Sequence, residues 1–76
     1  MKNNLEILKQ FVSTASAKHP EKLTALLSIT EKHYTENRSM VDAVMGAAPE
    51  DRRGACGFSI LKTNVPAFVS EMLALR

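Results

Sequence analysis

The sequence predicts an all-α fold: a compact bundle of four or five short helices, with the fourth, about Pro49–Thr63, at its centre. Three observations carry that expectation. Apolar residues recur at spacings of three and four, the period of a helix with one buried face. Three prolines and three glycines (Pro20, Gly46, Pro49, Gly54, Gly57 and Pro66) cut the chain into helix-length pieces. And 76 residues, 45% hydrophobic and 24% charged, suit one globular domain, 1–76, rather than two domains or a disordered chain.

The first helix is expected from about Asn3 to Lys18. Leu5, Leu8, Phe11, Val12 and Ala15 line one face, Asn3 or Asn4 caps it, and Lys2, Glu6, Lys9, Gln10 and Ser13 form the wet face. Pro20 stops it, because the residue before a proline avoids helical geometry. The second starts at Pro20, with Glu21 at the positive helix end, and runs to Glu36 or Asn37. Its stripe is Leu23, Leu26, Leu27, Thr30 and Tyr34, with Ile29 and His33 on the flanks. In the third, Ser39 serves as cap and Asp42 as its reciprocal acid, with Val41, Val44, Met45 and Ala48 on one face. Gly46 and Pro49 limit it to about eight residues.

Pro49-Glu50-Asp51 reads as the first turn of the fourth helix. Phe58, Leu61 and Val65 share a side with Gly54, while Cys56 and Ile60 lie nearly opposite, so this helix is apolar on two sides and belongs in the middle. Each glycine in a helix interior costs about 1 kcal/mol relative to alanine, which calls for compensation by close approach of another backbone. The fifth helix follows from Asn64 as cap, with Val65, Phe68, Val69, Met72 and Leu73 as its stripe and Arg76 at its negative end.

Ten Lys and Arg against eight Asp and Glu give +2, and the small excess is spread over the first half of the chain. That is weak for a dedicated nucleic-acid domain, which clusters its cations. Lys18, His19 and Lys22 gather at the first turn and Lys32, His33 and Arg38 around the second, but Tyr34 is the one polar-tipped ring able to stack a base. The start, Met1-Lys2-Asn3-Asn4, is not followed by the apolar run of a signal peptide, and no stretch approaches the eighteen apolar residues of a membrane span. One cysteine fits a reducing cytoplasm.

Chemistry-bearing clusters are sparse. His19, His33 and Cys56 are not spaced for a metal, and no metal or cofactor is expected. Cys56 has Arg52 and Arg53 nearby, but cysteine in such apolar company reads as a core thiol rather than a nucleophile, and a non-enzyme is expected. Arg52-Arg53-Gly54-Ala55-Cys56-Gly57 matches no phosphate-binding glycine motif. Segments three and four have the spacing of a helix-turn-helix, yet Glu50 and Asp51 stand where such a reading helix meets phosphates.

What remains is an interaction surface. Small residues at Gly54, Ala55 and Gly57, flanked by Phe58 and Ile60, together with Met72, form the expected interface, with Arg52 and Arg53 as rim charges. Met1, Met40, Met45 and Met72 add adaptable apolar surface. A chain this small buries about 60% of its unfolded surface, so a second chain is a natural stabiliser. The leading expectation is a non-enzymatic cytoplasmic regulator or inhibitor that binds another protein or a second copy of itself. The alternative is a nucleic-acid- or nucleotide-binding regulator using Arg38, Arg52, Arg53 and Lys62. In build alone the chain resembles small free-standing helical regulators, inhibitors and adaptors, including those carried by phages and other mobile elements.

Overall fold

The computed structural model describes residues 3–75; Met1, Lys2 and the proposed helix-end charge Arg76 lie outside them. The described residues form α1 (Asn4–Ala15), α2 (Leu23–Glu36), α3 (Arg38–Ala47), α4 (Arg53–Asn64) and α5 (Pro66–Leu73). Short 3-10 turns, Pro20–Lys22 and Glu50–Arg52, lead into α2 and α4. The all-α bundle is therefore as expected. Its centre is α4, which packs against α1, α3 and α5, while α2 packs against α1, α3 and α5.

The helix boundaries follow local hydrogen-bond supply. Asn3 caps α1, its side chain accepting the Glu6 N–H at 2.9 Å. The helix stops at Ala15, short of Lys18: the Ala17 N–H donates to Thr14 and the His19 N–H to Ser16, tight turns that bring His19 out of helical geometry before Pro20. Each of the two prolines expected to open an α-helix, Pro20 and Pro49, instead opens a 3-10 turn, and the α-helix proper begins three or four residues later.

Two caps are placed differently from expectation. Ser39 lies inside the first turn of α3, because only Asn37 separates α2 from α3. Asn37 serves both helices: its amide donates to the His33 carbonyl at 3.0 Å, and its own carbonyl accepts the Val41 N–H at 3.0 Å. Asn64 is the last residue of α4 rather than the cap of α5, and Val65 alone forms the joint before Pro66. Pro66, lacking an N–H, suits the first position of α5.

The core holds Leu8, Val12, Tyr34, Val41, Met45, Leu61, Val65 and Phe68. A row of rings crosses it from α1 to α2. Phe11 and Phe58 lie 5.5 Å apart, Phe58 and Phe68 5.6 Å, and Phe68 and His33 5.6 Å, the last two pairs edge to face. Leu23, Leu26 and Leu27 are only half-buried, whereas His33, expected on a flank, is 2% exposed.

Gly54 and Gly57 draw α4 against its own chain. A Cβ at Gly54 would lie 2.8 Å from Phe11 Cβ and 3.2 Å from the Ile7 carbonyl; at Gly57 it would lie 2.7 Å from Met45 Sδ and 3.3 Å from Leu8 Cδ1. The close approach is made by α1 and α3, so neither glycine is open to a second chain. The radius of gyration, 11.5 Å, equals the ~11.4 Å of a compact chain of this length, so the core closes within one copy. What a partner can meet is surface, not missing core.

Candidate functional site

Helix α5 carries one charge, Glu71, whose half-buried side chain is tied to α2. The His33 Nε2–H donates to Glu71 Oε2 at 2.7 Å, and the Lys32 ammonium reaches both Glu71 oxygens at 3.3 Å. The His33 bond, then the Lys32 ammonium, hold the Glu71 carboxyl below its ordinary pKa against the opposing effect of desolvation. The other ring nitrogen, His33 Nδ1, is buried without a hydrogen-bond partner, and Glu36 Oε1 stands 3.8 Å from it.

The residues most exposed on α5 and just beyond it, Pro66, Ala67, Ser70, Leu73 and Ala74, are uncharged. They recur at helical spacing. Leu73 is 51% exposed, the large hydrophobic most open to solvent among the described residues. Val69 and Met72 sit half-buried at the edge of this face. Met72 thus belongs to the region expected to make contacts. Phe58 and Ile60 are half-buried and packed on the core, and Gly54 and Gly57 are covered. Sequence reasoning placed Leu73 in the buried stripe and missed Glu71 altogether; its partners lie 38 and 39 positions away and leave no local signal.

A second polar node joins three helices. Asp42 Oδ1 accepts the Tyr34 hydroxyl at 2.6 Å and the Asn4 amide at 2.9 Å, and Arg38 Nε approaches Oδ2 at 3.5 Å. The Tyr34 bond first, then Asn4 and Arg38, hold Asp42 below the usual carboxylate range. Burial, then Asp42, push the Tyr34 hydroxyl above its ordinary value. The expected capping acid is therefore a hub between α1, α2 and α3.

The cations expected to meet an anion do not converge. Helices α3 and α4 run antiparallel, since Arg53 Nε donates to the Met45 carbonyl at 2.9 Å while Asn64 Nδ2 donates to Met40 Sδ at 3.7 Å. Arg38 and Lys62 therefore lie toward one end of this pair and Arg52 and Arg53 toward the other. Arg53 closes the end of α3, Arg38 sits by Asp42 with its guanidinium 6.0 Å over the Tyr34 ring, and Lys62 lies 5.9 Å over Phe58.

Two open grooves flank α4. One of about 290 Å³ lies between α1 and the start of α4: Ile7, Phe11 and Ala55 give it apolar walls, Gly54 lies where the helices meet, and Glu50, Asp51 and Arg52 border it. The other, about 210 Å³, is lined by half-buried Cys56 with Val44, Ser59, Ile60 and Thr63. Among the described residues no group of three His, Cys, Asp or Glu side chains is placed to hold a metal ion, and no helix is long and apolar enough to cross a membrane. Comparison with protein-family models, curated proteins and solved structures finds no match.

Proposed function

We propose that this chain is a small non-enzymatic interaction module of a reducing cytoplasm, which self-associates through the outward face of α5 and acts on other proteins as a regulator or inhibitor by covering their surface. The observation that supports this reading is the outer face of α5, where Pro66, Ala67, Ser70 and Ala74 are exposed and uncharged around Leu73 at 51% exposure, while Glu71 is tied to His33 and Lys32 of α2. Charge depletion around an apolar centre is the compositional mark of an interface core.

Light scattering after gel filtration tests it. The wild-type chain at high micromolar concentration is expected above monomer mass, and Leu73→Glu is expected at monomer mass. Because Leu73 is half in solvent already, its replacement should leave helix content intact and shift the melting temperature by no more than a few degrees. A wild-type monomer at that concentration rejects the reading. Salt separates it from phosphate recognition by Arg52, Arg53 and Lys62: apolar docking persists at high salt, whereas phosphate contacts weaken steeply.

A further inference from the structure

We infer that His33 is a proton-operated clasp: a proton taken up at Nδ1 draws the Glu36 carboxylate onto the ring, so that one buried imidazolium joins Glu36 of α2 to Glu71 of α5. The starting state is set by Glu71. A carboxylate only accepts hydrogen bonds, so the 2.7 Å contact at Nε2 places the ring hydrogen there and leaves Nδ1 a bare acceptor. Among the described residues, Nδ1 is the one buried side-chain nitrogen or oxygen without a hydrogen-bond partner. Buried polar atoms are rarely left so, and an orphaned one calls for a role. Glu36 Oε1 stands 3.8 Å away, with nothing to accept from a bare nitrogen. Protonation makes Nδ1 a donor, and the Glu36 side chain, 58% exposed, is free to close the remaining ~1 Å to hydrogen-bond range.

The surroundings favour the added charge on three counts and oppose it on two. Glu71 and Glu36 flank the two ring nitrogens, and His33 lies in the last turn of α2, at the negative helix end. Burial opposes the charge, and so does the Lys32 ammonium, which shares Glu71 at 3.3 Å. Among the described residues no other carboxylate lies within 4 Å of the ring nitrogens. The other neighbour from α5, Phe68, is an uncharged ring 5.6 Å away. Charged groups on the remaining elements packed against α2 are engaged elsewhere: Lys9 of α1 with Glu31, Arg38 of α3 with Asp42, and Glu21 of the first 3-10 turn with His19. Imidazoles as a class gain charge between about pH 8 and about pH 5, above the range in which carboxylates lose theirs. That leaves a window in which both acids stay charged while the ring changes state. The clasp does not depend on self-association.

Two-bond proton–nitrogen NMR of the whole chain, titrated from about pH 9 to about pH 5, reads the ring, and carbon-13 shifts read the glutamate carboxyls. At the alkaline end His33 is expected as the Nε2–H tautomer. As the ring charges, the Glu36 carboxyl carbon should shift in the same step, and that of Glu31 should not. Glu36→Gln is expected to weaken proton binding at the ring about twofold to fivefold, while Glu31→Gln, which removes an equal charge from the same helix, leaves it as in wild type. Both glutamates are more than half exposed, so both variants should fold, which circular dichroism checks. An Nδ1–H tautomer at the alkaline end, a ring that stays neutral throughout, a Glu36 carboxyl that does not move with the ring, or equal effects of the two variants would each overturn the clasp.

Discussion

Gly57→Leu is expected to abolish the folded state, Gly54→Ala to cost about 2 kcal/mol, and Gly46→Ala to raise stability by up to about 1 kcal/mol. The three glycines sit in helices of ordinary negative φ, so backbone conformation does not distinguish them; what faces the missing Cβ does. At Gly57 a leucine would have to displace Met45 and Leu8, both 0% exposed and without room to retreat. A chain of this length has only about 4–11 kcal/mol of total stability, so loss of that packing exceeds what remains. At Gly54 the first atoms met are Phe11 Cβ and the Ile7 carbonyl, which move only if α1 moves, so the clash outweighs the gain in helix propensity. At Gly46 nothing lies within 4 Å, leaving the propensity gain alone. Thermal unfolding followed by circular dichroism checks the order, at about 4–8 °C per kcal/mol. Equal effects at Gly46 and Gly54 would refute the role of close packing.

These glycines also show where sequence reading stops. Their helical placement and the need for a close neighbour follow from period and propensity, and so does the central position of α4. Which backbone fills the space depends on how α1 and α3 fold over α4, and no local pattern encodes that. The apolar stripe of α1 is periodic enough to orient that helix, whereas those of α2 and α5 are only partly so: Thr30, Tyr34 and Phe68 go in as expected, but the α2 leucines stay half-buried, His33 goes in and Leu73 faces out. A histidine at that position is buried because Glu71 and Phe68 arrive from a helix 35 or more residues on. Asp42 carries the same lesson. Three residues after a serine it satisfies the spacing of a reciprocal cap, yet Tyr34 and Asn4 compete for its carboxylate and win. The candidate face on α5 was legible as an apolar helix but not as an exposed one, since which side faces out is decided by how α5 packs against α2 and α4.

Acid is expected to dismantle the two polar nodes and, with them, the α5 face. Asp42 and Glu71 are both held below their ordinary values of 3.8 and 4.5, chiefly by the Tyr34 hydroxyl and the His33 ring. A carboxyl whose folded pKa is depressed adds stability that is complete above its unfolded pKa and is lost as pH falls through the folded one. The unfolding free energy should therefore run level down to about pH 5 and decline below about pH 4. Tyr34 sets the opposite limit: raised from 10.0 by burial and by Asp42, it adds stability below its ordinary value that is lost as pH rises through the folded value. Asp42→Asn keeps an acceptor for Tyr34 and Asn4 but loses the charge, so it should be less stable at neutral pH with a shallower acid slope. Glu71→Gln should behave likewise, and the double variant should be shallowest; denaturant titrations across the pH series measure all three slopes. An unchanged acid slope in Asp42→Asn would show that the hub does not set the acid limit. The two nodes differ in consequence. Asp42 ties α1, α2 and α3 together, so its protonation weakens the whole bundle, whereas Glu71 ties α5 to α2 alone. Glu71→Gln removes the carboxylate's charge at every pH, so the proposed assembly through α5 should be weaker than wild type at neutral pH and less sensitive to acid.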